Sequence, residues 1–383
     1  MSEIRVDSIG NESNTGGPVL SGITTFSGQK YFIPPKGTTA ERPSDCPPGS
    51  IRFNTDSAHL EYWNGLVWLE FDASTGNFGG GNPNADGFST RGTGTRALFS
   101  RGYIAPGNVN DIDYITISTE GNSQDFGNTV LTKRQGVAFS SSTRSLTAGA
   151  EDRNVTIDFV TIASTGDAQD FADLTAGVSE GPGAVSNQTR AVIAGGNVSP
   201  GDRTNVMQYI TMAQTGDSVD FGDLTQARHQ FLAKANSSVR GVFASGSVPG
   251  LVNTIDYITI STLGDALDFG DLSVARRTNM YAESATRGIF AGGYAPGAST
   301  TMDFITIQTL GNAQDFGDLP STRSLGNGGT SNCVRAVFSG YASPVATIEF
   351  CQIATTGNAQ SFGNLGSGER QQAGASSNGH GGL

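Results

Sequence analysis

ARRTNMYAESATRGIFAGGYAPGASTTMDFITIQTLGNAQDFGDL, residues 275–319, holds four short alternating runs separated by turn chemistry. ARRTNMYAES reads as one strand, TRGIFAGG as the next, TTMDFITIQT as the third and AQDFGDL as the fourth. The breaks fall at Gly292-Gly293-Tyr294-Ala295-Pro296-Gly297 and at Leu310-Gly311-Asn312. Gly, Pro and Asn there supply the backbone angles a tight reversal needs.

The same unit recurs along the chain. Its closing D-F-G phrase places an aromatic at Phe126, Phe171, Phe221, Phe269, Phe316 and Phe362, at spacings of 45, 50, 48, 47 and 46 residues. A second phrase, T/V-R-x-x-F-x-G-G, keeps the same beat at Arg96, Arg144, Arg190, Arg240, Arg287 and Arg335. Four short antiparallel strands per period of this length predict an all-β chain whose repeat region, residues 92–383, is a six-bladed β-propeller of four-stranded blades. The first run of each unit is rich in Gly, Ala and Ser, which suits strands crowded at a central channel.

The ends of the pattern predict how the ring closes. The first copy begins directly with TRALFSRG at Thr95 and has no first strand of its own. The last copy is followed by a spare segment, ERQQAGASSN, that aligns with ARRTNMYAES. The C-terminal segment is therefore expected to supply the missing strand of the first blade, which removes two exposed sheet edges.

Composition agrees with this scheme. Gly makes up 53 of 383 residues and charged residues only 15%, which suits tight turns more than long helices. A net charge of −12 argues against nucleic acid, whose phosphates call for clustered Lys and Arg. No apolar run approaches the roughly 18 residues of a membrane span, so no membrane insertion is expected. The N-terminus, Met1-Ser2-Glu3-Ile4-Arg5, lacks an apolar leader core, and synthesis in a cytoplasm is expected. Three Cys make no disulfide framework. A hairpin turning at Tyr341–Pro344 would set Cys333 nearly opposite Cys351, both reduced, and Cys46 falls in a loop.

The first 91 residues do not repeat. Residues 1–30 are too polar to fold alone and are expected to be an extended anchoring segment held by a partner subunit, through Ile4, Val6 and Ile9. Residues 31–75 hold both Trp residues and predict a three-stranded meander, Ser50–Asn54, His59–Trp63 and Leu66–Phe71, the last pair joined by Asn64-Gly65. Trp63 and Trp68 would form its small core or a subunit contact, the latter implying a homo-oligomer. Residues 76–91, GNFGGGNPNADGFSTR, read as a linker.

The unit resembles the kelch repeat: a first strand after Arg, a second ending in Gly-Gly, a third carrying an aromatic. Gly195-Gly196 and Gly292-Gly293 keep the Gly-Gly, and the Phe of D-F-G stands where kelch units carry Trp. The segments IRVDSIGNESNTGGPVLSGITTFSG and TTAERPSDCPPGSIRFNTDSAHLEYWNGLVW, with the D-Y-I-T-I and D-F-G-D-L repeats, are similar to virion proteins of tailed phages, particularly those of marine cyanobacteria. That resemblance implies a virion location and a structural role in a tail fibre or a tail- or capsid-associated protein. It also implies as partners other tail, baseplate or capsid proteins and a host-surface glycan or protein.

Catalytic chemistry finds no foothold in the pattern. D-F-G repeats without the lysine or H-R-D loop of a kinase, and its expected role is structural: Asp in a turn, Phe between blades, Gly at positive φ. His59, His229 and His380 are dispersed and are read as surface or packing residues. The pairs Asp170/Asp173, Asp220/Asp223, Asp268/Asp271 and Asp315/Asp318 repeat rather than single out one cleft, although grouped carboxylates also suit calcium. No cofactor, metal or catalytic residue is assigned, and a non-enzymatic role is expected. The alternative is a carbohydrate-active propeller enzyme acting on host glycans. Binding is expected on the turns of uneven length, at Tyr103, Asn108, Asn197, Asp202, Pro249, Tyr294 and Pro296, because rigid scaffolds carry function on loops.

Overall fold

The computed structural model describes residues 34–70 and 95–383, apart from 58, 200, 231–232, 278–279, 342–345, 367, 369–370 and 372. Ile4, Val6, Ile9 and the linker lie outside the described residues. The chain divides into two units, residues 1–74 and 75–383. Among the described residues there is no α-helix, and so none long and apolar enough to cross a membrane.

The smaller unit is one sheet of four strands in sequence order: Lys36–Gly37, Ile51–Asn54, His59–Trp63 and Trp68–Glu70. The first pair is parallel and the others antiparallel, with Trp63 opposite Trp68. Period-two alternation puts Ile51, Phe53, Leu60, Tyr62 and Leu69 on one face. The two Trp share the other face with Arg52, Asn54 and Glu61, all three buried. Their rings lie 5.7 Å apart, and Trp68 Nε1 donates to the Pro43 carbonyl. Arg42 and Asn54 both donate to Glu61, at 2.6 and 3.2 Å, and these bonds, with the nearby guanidiniums, hold its carboxyl below the usual range against burial. The meander therefore has a polar interior, and the tryptophans border it rather than form an apolar core.

The larger unit contains six four-stranded antiparallel sheets. Sheet one comprises Gly374–Ser377, Arg96–Ile104, Gly107–Thr116 and Gln124–Asn128; sheet two, Val137–Ser140, Arg144–Ala148, Thr156–Thr161 and Gln169–Asp173. Sheet three comprises Gly183–Ser186, Arg190–Ala194, Val206–Thr211 and Val219–Asp223; sheet four, Ala233–Asn236, Arg240–Ala244, Thr254–Thr259 and Leu267–Asp271. Sheet five comprises Met280–Glu283, Arg287–Ala291, Ser299–Thr306 and Gln314–Arg323; sheet six, Leu325–Ser331, Arg335–Tyr341, Thr347–Gln352 and Gln360–Asn364. The spare C-terminal run pairs with the first copy as the sequence requires, Gly374 opposite Ser100 and Ser377 opposite Ala97. One expectation fails: Ala336, not Cys333, stands opposite Cys351. Cys333 sits in the preceding turn at φ 67° and donates to the Gly379 carbonyl, while Cys351 is buried between sheets five and six. All three cysteines are free thiols.

The repeated phrases are the joints between sheets. Each phrase arginine lies over the aromatic ring of its own third strand, 4.4–5.0 Å from the centroid: Arg96 over Tyr114, Arg144 over Phe159, Arg190 over Tyr209, Arg240 over Tyr257, Arg287 over Phe304, Arg335 over Phe350. The same guanidinium donates to a carbonyl on the next sheet at 2.8–3.2 Å, that of Ile162, Met212, Ile260, Ile307, Ile353 and Ile117 in turn. Each ring also meets the D-F-G phenylalanine edge-on, as Tyr257 meets Phe269 with centroids 6.1 Å apart. That phenylalanine is buried in an apolar cluster shared with the following sheet, as Phe221 is with Phe243 and Ile258.

The remaining letters of the phrase act in the same joint. The backbone N–H after D-F-G donates to the Asp or Asn of the next sheet's T-x-G-D/N turn in all six cases, at 2.9–3.1 Å. The glycine of the phrase lies at positive φ in four copies, Gly127, Gly222, Gly270 and Gly317, as at Gly270 (φ 145°), where an added Cβ would stand 2.6 Å from the Gly311 carbonyl. Close approach of two backbones is the reason for glycine there. Sheet two departs from the rule with Ala172. Its joint keeps the bond from Ser218 N–H to the Asp173 carbonyl but, among the described residues, lacks the one that Phe221, Phe269 and Phe316 accept from a turn glycine.

Among the described residues the first strands are buried, and their last residues bond from one to the next. Ser140 donates to the Ser377 carbonyl, Ser186 to Ser140, Asn236 to Ser186, Ser331 to Glu283 and Ser377 to Ser331. The chain end then touches every sheet. The Asn378 side chain accepts from Arg96 N–H; Gly379 packs on Thr95 and accepts from Cys333. His380 Nε2 donates to the Ser140 carbonyl, Gly382 lies against the carbonyl of Ser186, and Gly381 lies against those of Asn236 and Ser284.

Candidate binding face

Antiparallel order puts the hairpins between second and third strands, and the connectors that lead into first strands, at one end of the sheets. All seven residues expected to bind lie at this end. Tyr103 and Asn108 are opposite one another in the sheet-one hairpin. Asn197 and Asp202 belong to the small ladder Asn197–Ser199 with Asp202–Arg203, and Pro249 is the exposed tip between Ser247–Val248 and Gly250–Leu251. Tyr294 and Pro296 form the exposed turn of sheet five.

In sheets one, three, four and five a residue at the hairpin base is clamped to the connector of its own sheet. Tyr103 bridges Gln371, Asn197 bridges Ser179, Ser247 bridges His229 and Tyr294 bridges Arg277. These rungs extend the rigid sheet to the hairpin base. Two tyrosines also carry guanidiniums: Arg134 lies 5.0 Å from the Tyr103 centroid and Arg277 lies 4.9 Å from that of Tyr294. Arg134 in turn donates to Glu151, which also accepts from Asn108.

A denser cluster, absent from the sequence expectations, joins the connectors of sheets three to five. His229, read from sequence as a dispersed surface or packing residue, is largely buried, and its Nδ1 is 2.7 Å from Glu180 Oε2. Burial pushes the imidazole below its ordinary value, against the pull of Glu180. Arg277 donates to Gln230 Oε1. Asn197 Oδ1 and Arg203 Nε, both buried, have no hydrogen-bond partner among the described residues. Gln135, Glu180 and Gln230 hold the same connector position, all left-handed at φ 67°, 54° and 71°. Non-glycine residues in that region cost free energy and gather at functional surfaces. The Gln135 carbonyl accepts from Gly181 N–H, and that of Glu180 from Gln230 N–H.

The acid of the third-strand phrase is spent inside the fold. Arg228 pairs with Asp256, Arg276 with Asp303, Arg323 with Glu349, and Arg101 with Asp158, all buried at 2.6–2.9 Å. In sheet three Val178 stands where the connectors of sheets four, five and six carry arginine, and the acid position holds Gln208. The Gln208 side chain bonds both backbone groups of Ala176 at 3.0 Å. Both charges are absent together in this copy, and neither is left buried without its partner.

Among the described residues no group of three or more His, Cys, Asp or Glu side chains could hold a metal ion. No protein-family model matches the chain, and no curated protein matches it.

Proposed function

We propose that the six sheets are blades of one kelch-like β-propeller, closed by the C-terminal strand. This propeller would be the recognition module of a tailed-phage virion protein, attached to the particle by residues 1–75. Support for the ring comes from the joints: sheet six meets sheet one through Arg335 and Ile117 as the other sheets meet in succession. A chain end that touches all six sheets supports it too. The virion reading rests on the resemblance of the N-terminal segments and the repeats.

One observation carries the recognition reading. The repeated side chains are engaged in joints, whereas unrepeated aromatic, amide and charged groups gather on the hairpin face. Tyr103, Tyr294, Glu180, His229, Arg203 and Gln230 suit a host-surface glycan or a neighbouring virion protein. Aromatic rings, amides and carboxylates on rigid bases complement sugar rings and hydroxyls at little ordering cost.

The test is twofold. Electron microscopy of intact particles should find the chain on the outer surface of tail or capsid, and a lumenal position sinks the reading. Full-length protein should bind host cells, and Tyr294→Ala with Glu180→Gln should weaken that binding while leaving the melting temperature unchanged. Release of free sugar from host polysaccharide would favour the enzymatic alternative instead.

A further inference from the structure

The opposite end of the sheets, which carries the turns before second and fourth strands, varies in a way that points to a second surface. Every joint there places the middle residue of T-x-G beside the first part of the preceding sheet's fourth strand. The register is fixed by bonds such as Gly264 N–H to the Phe221 carbonyl at 2.9 Å and Gly311 N–H to that of Phe269 at 2.9 Å. Four of the six joints carry polar pairs at these positions: Glu120 with Gln360, Thr165 with Gln124, Thr215 with Gln169, Thr356 with Gln314. The two adjacent joints on either side of sheet four carry Leu263 with Val219, and Leu310 with Leu267.

These four residues are each more than half exposed. The other repeats are an internal control: the joints of Thr165 with Gln124 and of Thr356 with Gln314 keep the same glycine-to-phenylalanine bond, at 2.7 Å, so packing does not demand the apolar residues. Both members change together, and only in one sector. Contiguous exposed apolar side chains rimmed by polar groups mark interaction sites. Beside Leu310 lies an open, mainly polar cavity of about 290 Å³ lined by Phe304, Thr309, Asn312 and Gln314.

Charge decides the partner. Exposed Asp217, Asp220, Asp265, Asp268 and Asp315 border the sector. The arginines at this end, Arg190, Arg240 and Arg287, are engaged with rings and carbonyls. A second copy of the surface would set carboxylate against carboxylate. We infer that the turn end of sheets three to five docks a protein segment whose apolar side chains are flanked by Lys or Arg. This holds whether or not the virion reading does.

Titration of full-length protein with a short peptide of alternating Leu and Lys tests it, with Leu–Glu and Ser–Lys peptides as comparisons. The Leu–Lys peptide should bind most tightly. Leu263→Thr with Leu310→Thr, which installs the residue of other repeats and leaves every charge in place, should weaken binding about tenfold or more with an unchanged melting temperature. Equal binding by the variant reduces the effect to general attraction for an acidic protein and overturns the proposal, as does equal binding of the Leu–Glu peptide. Wild-type dimers that the double variant abolishes would also overturn it, by naming a second copy as the occupant.

Discussion

Arg335 Nη1 donates to the carbonyl of Ile117, 3.2 Å away and 218 residues earlier in the chain. Its five counterparts bridge sheets that follow one another in sequence, and only this one spans nearly the whole repeat region. Its geometry matches theirs, including the guanidinium 4.4 Å from the centroid of Phe350. In a closed ring Arg335→Ala should cost as much as Arg240→Ala, about 1.5–3 kcal/mol for a charged hydrogen bond with its ring contact. In an open array the terminal joint frays and the cost is smaller. Urea unfolding of the two variants distinguishes these cases.

Removal of residues 369–383 takes away the first strand of sheet one and the segment that touches all six sheets. The edge of Arg96–Ile104 is then bare, as is the end of the first strands where His380 and Gly381 pack. Calorimetry should show a much lower melting temperature, accompanied by aggregation through the freed edge. Melting like that of the intact chain would disprove the closing role of this segment.

The buried pair Arg228–Asp256 can be tested against the natural substitution in sheet three. Burial pushes the Arg228 guanidinium below its ordinary value while Asp256 opposes the shift. Asp256→Ala alone strands that charge and should cost about 3–5 kcal/mol. Arg228→Val with Asp256→Gln copies Val178 and Gln208 and should recover most of the loss. A double variant as unstable as the single one would show that the pair does more than satisfy its own burial.

The period made most of this legible. Phe and Arg at a fixed beat report four strands per unit because only a repeated joint requires the same residue at each turn. The missing first strand before Thr95 and the surplus after Leu365 gave the pairing of Gly374–Ser377 with Arg96–Ser100 for the same reason. The hairpin-face cluster was not legible. Glu180 and His229 are 49 residues apart in connectors that share no phrase, and their meeting depends on the stacking of two sheets. Of the two roles open to the tryptophans, the polar face they share argues against an apolar core. Alternation had already placed Trp63 and Trp68 on the face of Arg52 and Glu61.

Gly270 tests the close approach of backbones. Gly270→Ala forces a Cβ to 2.6 Å from the Gly311 carbonyl at a φ of 145°, and should cost more than about 1 kcal/mol. Ala172→Gly places the usual residue at the one irregular joint. It should be neutral or stabilising, since the bond to the Phe171 carbonyl can then form. Denaturant midpoints of the two variants should move in opposite directions or, for Ala172→Gly, not at all.

A final prediction concerns Glu283, the member of the first-strand chain of bonds that cannot donate as a carboxylate. It is buried with Lys234, Tyr281 and His380, and its Oε2 has no hydrogen-bond partner among the described residues. Burial drives its carboxyl from 4.5 up to about 7, with Lys234 opposing. The same burial brings the Lys234 ammonium down to about 8 and His380 to about 3. A carboxyl with a raised folded value binds its proton more readily in the fold. Its contribution to stability is therefore full below pH 4.5 and lost as pH rises through about 7. Lys234 runs the other way: its contribution is present above 10.5 and lost as pH falls through about 8. His380, also depressed, loses its contribution as pH falls from 6.5 to about 3, a change that parent and variant share, so the difference between them from 4.5 to 7 reports Glu283. Glu283→Gln removes the titration and supplies an amide donor like that of Asn236, which bonds the Ser186 carbonyl at 2.8 Å. Relative to the parent chain, this variant should gain stability between pH 5 and 7, on the order of 1–3 kcal/mol across the interval. A parallel pair of stability curves over that range would place the proton elsewhere than on Glu283.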